Sequence, residues 1–476
     1  MIIFGSYLGV FLGIFASIFC FFSYAEYSAL ALVPLVFSFC FPILLKIALR
    51  SKYSIFYLIF TVATFLRYVV HPVLVAYFQE YSEVSIATHL SFRHMTNAAY
   101  MMCYELIVCT ITIFCIWCRS TVREKRSLTR MNMHNTANQQ KKFEIPESTD
   151  IYKLLIIATL AMVVLFPGAL EFFSFATISF GSGSPSQMGL GASITIICII
   201  SAKLFAHILF MIWCKKKSER SIGARKKYAL IAALGSLAFG CFYYGVNRAM
   251  IIFSLLAALF IYRMFFDDFR KAILVIGGIV GVVLFIIMTE RRNYYDYMSA
   301  YSGIERSLRS AKMTINAYLG GVTNVGVSIV TMERFSEHAT IGTFILELFT
   351  PIVGLNRLLP ATSSRLAGGY FNEVFFGNTT VSSQIIPTIG HGMMHLGYLL
   401  APLFDVMVLW LYSVFEKLRT QSMRIELVAI FLIISMRIAM MFGVNITIIN
   451  NEISIQILFP LLIFWLNNKI RIKASK

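Results

Sequence analysis

The chain has 476 residues, 58% of them hydrophobic and only 13% charged, with a formal net charge of +18 and a mean hydropathy of +0.76. A soluble domain of ordinary composition carries about 25% charged residues, so a soluble globular protein is excluded. The surplus of Lys and Arg falls in the loops between apolar runs, where it reads as membrane topology, and no nucleic-acid partner is needed to account for it.

About 20 helical residues cross the hydrocarbon core of a bilayer. In chain order, apolar runs of roughly that length predict twelve spans: 2–22, 28–49, 53–78, 98–117, 151–170, 189–213, 228–245, 249–265, 272–288, 393–413, 425–442 and 453–467. The first has no basic leader and no small-residue cleavage site, so it reads as an uncleaved helix. Alternate loops are basic: Lys46, Arg50 and Lys52; CRSTVREKRSLTR; KKKSERSIGARKK; Arg263 with Arg270 and Lys271; EKLRTQSMR; and the tail NKIRIKASK. The bias of Lys and Arg to the inner side makes these cytoplasmic, with both termini inside. The fold class expected is therefore an all-α polytopic membrane protein of about twelve transmembrane helices. Residues 1–288 hold nine spans, 289–392 form one large external loop, and 393–476 hold three spans and the tail. The apolar stretch 341–359 is taken as an interfacial or re-entrant helix broken at Pro351 and Gly354. One more crossing there would put EKLRTQSMR on the wrong side.

The nine cysteines avoid the external loop. Cys115 and Cys118 form a CIWC with no second such pair, so they read as buried thiols. The chemistry is expected in the external residues and in the charges inside spans. Arginine matches phosphate with a rigid bidentate fork, so Arg248, Arg291, Arg357 and Arg365 are candidate ligands for an anionic group, with Arg67 or Arg437 lining a cavity beneath. Arg67 has His71 one helical turn on, Lys203 likewise has His207, and Glu105 and Asp405 are the counter-charges expected for buried cations. Gly368, Gly369 and Tyr370, then Asn372 and Glu373, offer a flexible turn, a stacking ring and a carboxylate. His391 and His395 are also one turn apart. One of His391, His395 or Glu373 is the candidate proton acceptor. The adjacent acids Asp267 and Asp268 lie on the inner side, so neither a metal nor a cofactor is expected. No P-loop and no GxSxG is present. An external enzyme of this kind needs an already activated donor, such as a lipid-linked sugar pyrophosphate.

Three features together resemble the Wzy-type O-antigen and capsule repeat-unit polymerases and, more distantly, the O-antigen ligases. The turn GVNRAMIIFSLLAALF, Gly245 to Phe260, is similar to that family's G-S-R turn. A large external loop lies between late spans, and it ends in TIGHGMMHLGYLLAPLF, similar to the family's Gly- and His-containing re-entry. The chain departs from the ligases at Gly392, which stands where their His is followed by Asn. The resemblance implies a C-type membrane glycosyltransferase of the bacterial inner membrane. Its donor and acceptor would both be undecaprenyl-pyrophosphate-linked oligosaccharides, with membrane lipid around it and a chain-length regulator protein as a further partner. The growing glycan would move to the non-reducing end of the next lipid-linked repeat unit, without a metal, and Arg248, Arg291, Arg357 and Arg365 would hold the pyrophosphate. The competing expectations are a flippase or transporter of the same lipid-linked oligosaccharide, and a ligase.

Overall fold

The computed structural model describes residues 2–51, 55–81, 86–132, 143–176, 178–179, 189–220, 222–245, 248–266, 276–281, 283–284, 287, 303–352, 366–378 and 384–470. It is built almost wholly of helices, in two compact units. One comprises Met1–Asn138, Tyr301–Phe415 and Ser435–Asn451, and the other Gln139–Ala300, Glu416–Ile434 and Glu452–Lys476.

In the first unit, α1 (Ile2–Ser23) packs on α2 (Leu32–Arg50), which packs on α3 (Ile55–Phe65) and α5 (Phe92–Asn132). The outer face of α1 exposes Phe4, Phe11, Phe15 and Phe22, a surface that lipid stabilises and water does not. Between α3 and α4 (His71–Phe78) runs one π-helical turn, Leu66–Val70, closed by His71 N–H donating to Leu66 O. Pro72 explains it: proline has no N–H for the carbonyl four residues back, so the ladder widens just before it. The same device recurs late in the chain, where the π-turn Ser454–Leu458 precedes Pro460.

Residues 303–349 form α10 (Gly303–Leu319), α11 (Val322–Phe335) and α12 (Ile341–Phe349). Every residue of α11 from Val322 to Thr331 is buried, against α5 and α14 (Thr388–Leu400). Its polar residues are satisfied from within: Ser328 Oγ donates to Asn324 O at 2.8 Å and Thr331 Oγ1 to Val327 O at 2.8 Å. The unit is completed by α13 (Ala367–Phe376) and the first part of α15 (Leu403–Gln421).

The second unit contains α6 (Asp150–Leu165), α7 (Leu190–Ser218), α8 (Ile222–Cys241) and α9 (Arg248–Phe265). A small antiparallel sheet joins β1 (Phe173–Phe175), β2 (Ile178–Ser179) and β3 (Phe242–Tyr244) in the order β2-β1-β3, with Phe173 opposite Tyr244. Gly245, at φ +86°, leaves β3 toward α9. The Tyr152 hydroxyl donates to Glu426 Oε1 at 3.0 Å, and its ring stacks on Phe205 at 4.2 Å.

Among the described residues, six helices are long and apolar enough to cross a membrane: Phe4–Ser23, Glu26–Arg50, Ile55–Phe78, Phe92–Thr121, Leu190–Ser218 and Ile446–Lys469. Two bent pairs, Gly303–Leu319 with Val322–His338 at 48° and Thr388–Leu400 with Leu403–Gln421 at 114°, bring the number to eight if each pair is one span. The architecture is that of an all-α multi-pass membrane protein. Several expected spans are shortened for local reasons. The helix Asp150–Leu165 stops before Pro167 and Gly168, and Ile425–Ile438 gives way to a 3-10 turn at Met441–Gly443. The expected straight span 393–413 is instead broken at Gly397, where φ is +71°. Most of 272–288 lies outside the described residues. The pair 303–338, expected in the external loop, is itself apolar enough for a broken or re-entrant span.

Candidate functional site

The helix α14 begins after Pro387, and Thr388 Oγ1 ties its first turn to Met441 O at 2.5 Å and Val444 O at 2.6 Å. One and two turns on stand His391 and His395. Their rings are 5.1 Å apart, as the i,i+4 spacing of one helix face requires. The residue between them and the break explains a sequence oddity. A Cβ on Gly392 would stand 2.1 Å from Ala401 O, because the chain folds back on α14 after Gly397. Glycine follows His391 because no side chain fits there.

Facing this pair is α12. Thr340 caps it, accepting from Thr343 N at 3.2 Å. The helix exposes Ile341 but turns Glu347 inward, to 1% exposure. Glu347 Oε2 lies 2.5 Å from His391 Nε2 and 2.9 Å from His395 Nε2. Its other oxygen, Oε1, accepts from Ala367 N at 2.5 Å. Ala367 opens α13, so the carboxylate also satisfies an otherwise unpaired amide at a helix start. Phe404 stands edge-on to His391 at 5.2 Å, and Phe344 lies 5.3 Å from both His395 and Phe404. These rings wall the centre with apolar surface. Burial alone raises the Glu347 carboxyl pKa, but the hydrogen bonds from His391, His395 and the Ala367 amide outweigh it and hold the group at about 2.

A second buried centre lies in the same unit. Arg67, on the π-turn, pairs with Glu105 of α5 at 2.8 Å, with both side chains at 0% exposure. Arg67 Nε donates to Gly320 O at 3.0 Å, and its guanidinium covers the Phe442 ring at 4.5 Å. Tyr68 donates to Glu105 Oε2 at 3.0 Å. Gly320 sits at φ +60°, and a Cβ there would meet Phe442 O at 2.6 Å, so glycine is needed to bring this carbonyl over the arginine. Asp405 is fully buried beside Glu105, its carboxyl group within hydrogen-bonding reach of that of Glu105. Both ring nitrogens of His71 are buried without a hydrogen-bond partner among the described residues.

Of the expected anion ligands, Arg291, Arg357 and Arg365 lie outside the described residues. Arg248 opens α9, but its side chain also lies outside them. Arg437 stands partly exposed in the last turn of the helix Ile425–Ile438. Glu373 is partly buried on α13. Arg309, expected outside, binds Glu80 at 2.6 Å and Glu305 at 3.0 Å and covers the Phe78 ring, which is the geometry of a structural ion pair. The residue that the sequence reasoning did not single out is Glu347. A signal was present, since it is the one charge in the apolar run IGTFILELF and such a charge needs a partner. That partner stands 44 residues away, so spacing alone could not name it. Comparison of the chain with protein-family models, curated proteins and solved structures finds no match in any of the three.

Proposed function

We propose that this protein is a membrane glycosyltransferase that polymerises lipid-linked oligosaccharide repeat units on the outer face of the bacterial inner membrane. The observation that carries the reading is the convergence of Glu347 and His391, in the segment that the charge bias assigns to the outside, with His395 at the start of the next expected span. The acceptor hydroxyl oxygen would bond to the anomeric carbon of the donor glycan. The bond from that carbon to the pyrophosphate oxygen would break, and undecaprenyl pyrophosphate would leave with the electron pair. The hydroxyl proton passes to the Glu347–His391–His395 centre, where a carboxylate holds two imidazoles in place. Arg248, Arg291, Arg357 and Arg365 neutralise the leaving pyrophosphate. Twelve spans and cytoplasmic termini complete the reading, and a chain-length regulator fits as a partner.

One observation favours a second reading, a flippase for the same lipid. The fully buried Arg67–Glu105 pair with Asp405 beside it is the kind of charge cluster that marks transport pathways inside membranes. Purified protein in liposomes with lipid-linked repeat units separates the two. Polymer ladders with release of undecaprenyl pyrophosphate, lost in H391A and H395A, support the polymerase. Movement of the substrate across the bilayer without polymer would replace it by the transporter. Topology is tested in a cysteine-free background. In intact spheroplasts an impermeant maleimide should label E337C, on an exposed residue, and label R220C only after permeabilisation. The opposite pattern overturns the orientation.

A further inference from the structure

We propose that Glu347, His391 and His395 form a binding site for one divalent transition-metal ion, with Zn2+ the best match to the ligands. Each residue offers one donor atom, and all three atoms lie within 4.8 Å of one another. The expectation of a metal-free enzyme came from the lack of an external acid pair, which concerns oxygen-ligated Mg2+ or Mn2+. Two imidazoles and one carboxylate make a different donor set, suited to zinc and its neighbours and poorly suited to hard cations.

Charge balance points the same way. Glu347 is 1% exposed, and its ion pairs among the described residues are with the two histidines alone. Among the described residues, neither Arg nor Lys pairs with it. A buried carboxylate must be paired or bind a metal, and the groups gathered on this one are imidazole nitrogens, which are themselves metal ligands. An ion at the point where the three donors converge would engage all of them at once.

The geometry is close to what an ion needs. Bonds of about 2.0–2.1 Å at tetrahedral angles set neighbouring donor atoms roughly 3.3 Å apart. The present separations from Glu347 Oε2 are 2.5 and 2.9 Å, so binding widens these two by less than about 1 Å. The outer support is also present. Glu347 Oε1 is held by the Ala367 amide, and Phe344 and Phe404 confine the imidazoles. Such outer contacts orient metal ligands and keep the site dry. Three protein ligands leave a fourth position open, the pattern of catalytic rather than structural zinc. Metal binding rests on this geometry alone. Only its role, polarising an acceptor hydroxyl at the open position so that the proton would pass to water while the three side chains hold the ion, rests on the glycosyltransferase reading.

The test uses tag-free, full-length protein in detergent, stripped with a chelator and titrated with Zn2+ and, separately, Mg2+. The wild type should take up one equivalent of Zn2+ but not Mg2+, and Zn2+ should raise its melting temperature. E347Q, H391A and H395A should each bind Zn2+ more weakly by over the roughly 10–100-fold that loss of an outer-shell partner costs, and their melting temperatures should not respond. If a variant fails to fold, the wild-type titration decides alone. No stoichiometric Zn2+ uptake and no Zn2+-dependent stabilisation in the wild type overturns the inference, as does uptake unchanged in the H391A/H395A double variant. Polymerisation by stripped protein in chelator, with no Zn2+ uptake, would sink the metal site and leave the glycosyltransferase reading standing. Zn2+ uptake without polymerisation would do the reverse.

Discussion

Two helices carry the same sequence pattern, a basic residue and a histidine one turn on, and the structure treats them in opposite ways. On α7, Lys203 Nζ donates to Ser254 Oγ at 2.6 Å and also reaches Phe242 O, while His207 Nε2 meets Ser236 Oγ at 2.9 Å. Each side chain finds its own neutral partner, and among the described residues no carboxylate joins them. On α14, His391 and His395 turn to a single carboxylate oxygen. An i,i+4 pair is thus a site only when a third group from another element makes the two converge. The Arg67/His71 pair is intermediate: Arg67 is closed by Glu105 and Gly320 O, while His71 has no hydrogen-bond partner among the described residues.

Substitutions can break this contrast, and the largest effect is expected at Arg67. Removing one partner of a buried ion pair costs about 3–5 kcal/mol, so R67A and E105A should lose most of their folded fraction in detergent. The apolar double variant R67M/E105L should recover much of it. A melting temperature unchanged in R67A would show that the pair does not hold α3, α4 and α5 together.

Next comes the converging pair. E347Q and H395A should slow polymerisation by about 100-fold or more, which corresponds to about 2.7 kcal/mol in the barrier. K203M and H207A should leave the rate within about twofold. Equal losses at both pairs would erase the distinction between a convergent site and two satisfied side chains. Between these lies G392A, whose methyl would press on Ala401 O. Overpacking costs about 1–3 kcal/mol, and the shift of α14 should lower the rate through the displaced imidazoles more than it weakens substrate binding. A pure KM effect would contradict this. The smallest effect is expected for H207A on stability, about 1 kcal/mol for one neutral hydrogen bond, read as a small fall in melting temperature. A loss as large as that of R67A would give His207 a role the structure does not suggest.

Much of the fold was legible in the chain. The runs around 2–22, 28–49, 53–78, 98–117, 189–213 and 453–467 correspond to the six long apolar helices, because hydropathy over about 20 residues is a local property. The broken spans were less legible. Gly397 and Pro402 punctuate LGYLLAPLF plainly enough, yet the 114° bend is enforced by Ala401 folding over Gly392, a contact that exists only after folding. The helix α11 looked like external loop because Asn324, Ser328 and Thr331 lower its hydropathy. Its burial depends on those groups bonding within the unit.

By itself, the sequence determined that this is a multi-pass helical membrane protein, and that His391 and His395 share one helix face. Both follow from composition and from the 3.6-residue period, which act over a few turns of chain. Only the tertiary structure decided which carboxylate the histidines meet. The lone charge in IGTFILELF marks Glu347 as needing a partner, but no local rule says that the partner is the histidine pair rather than another group. The choice falls to Glu347 because α12 turns it inward and Ala367 of α13 holds its second oxygen, so that a buried charge finds its partners on two other helices, α13 and α14, at once.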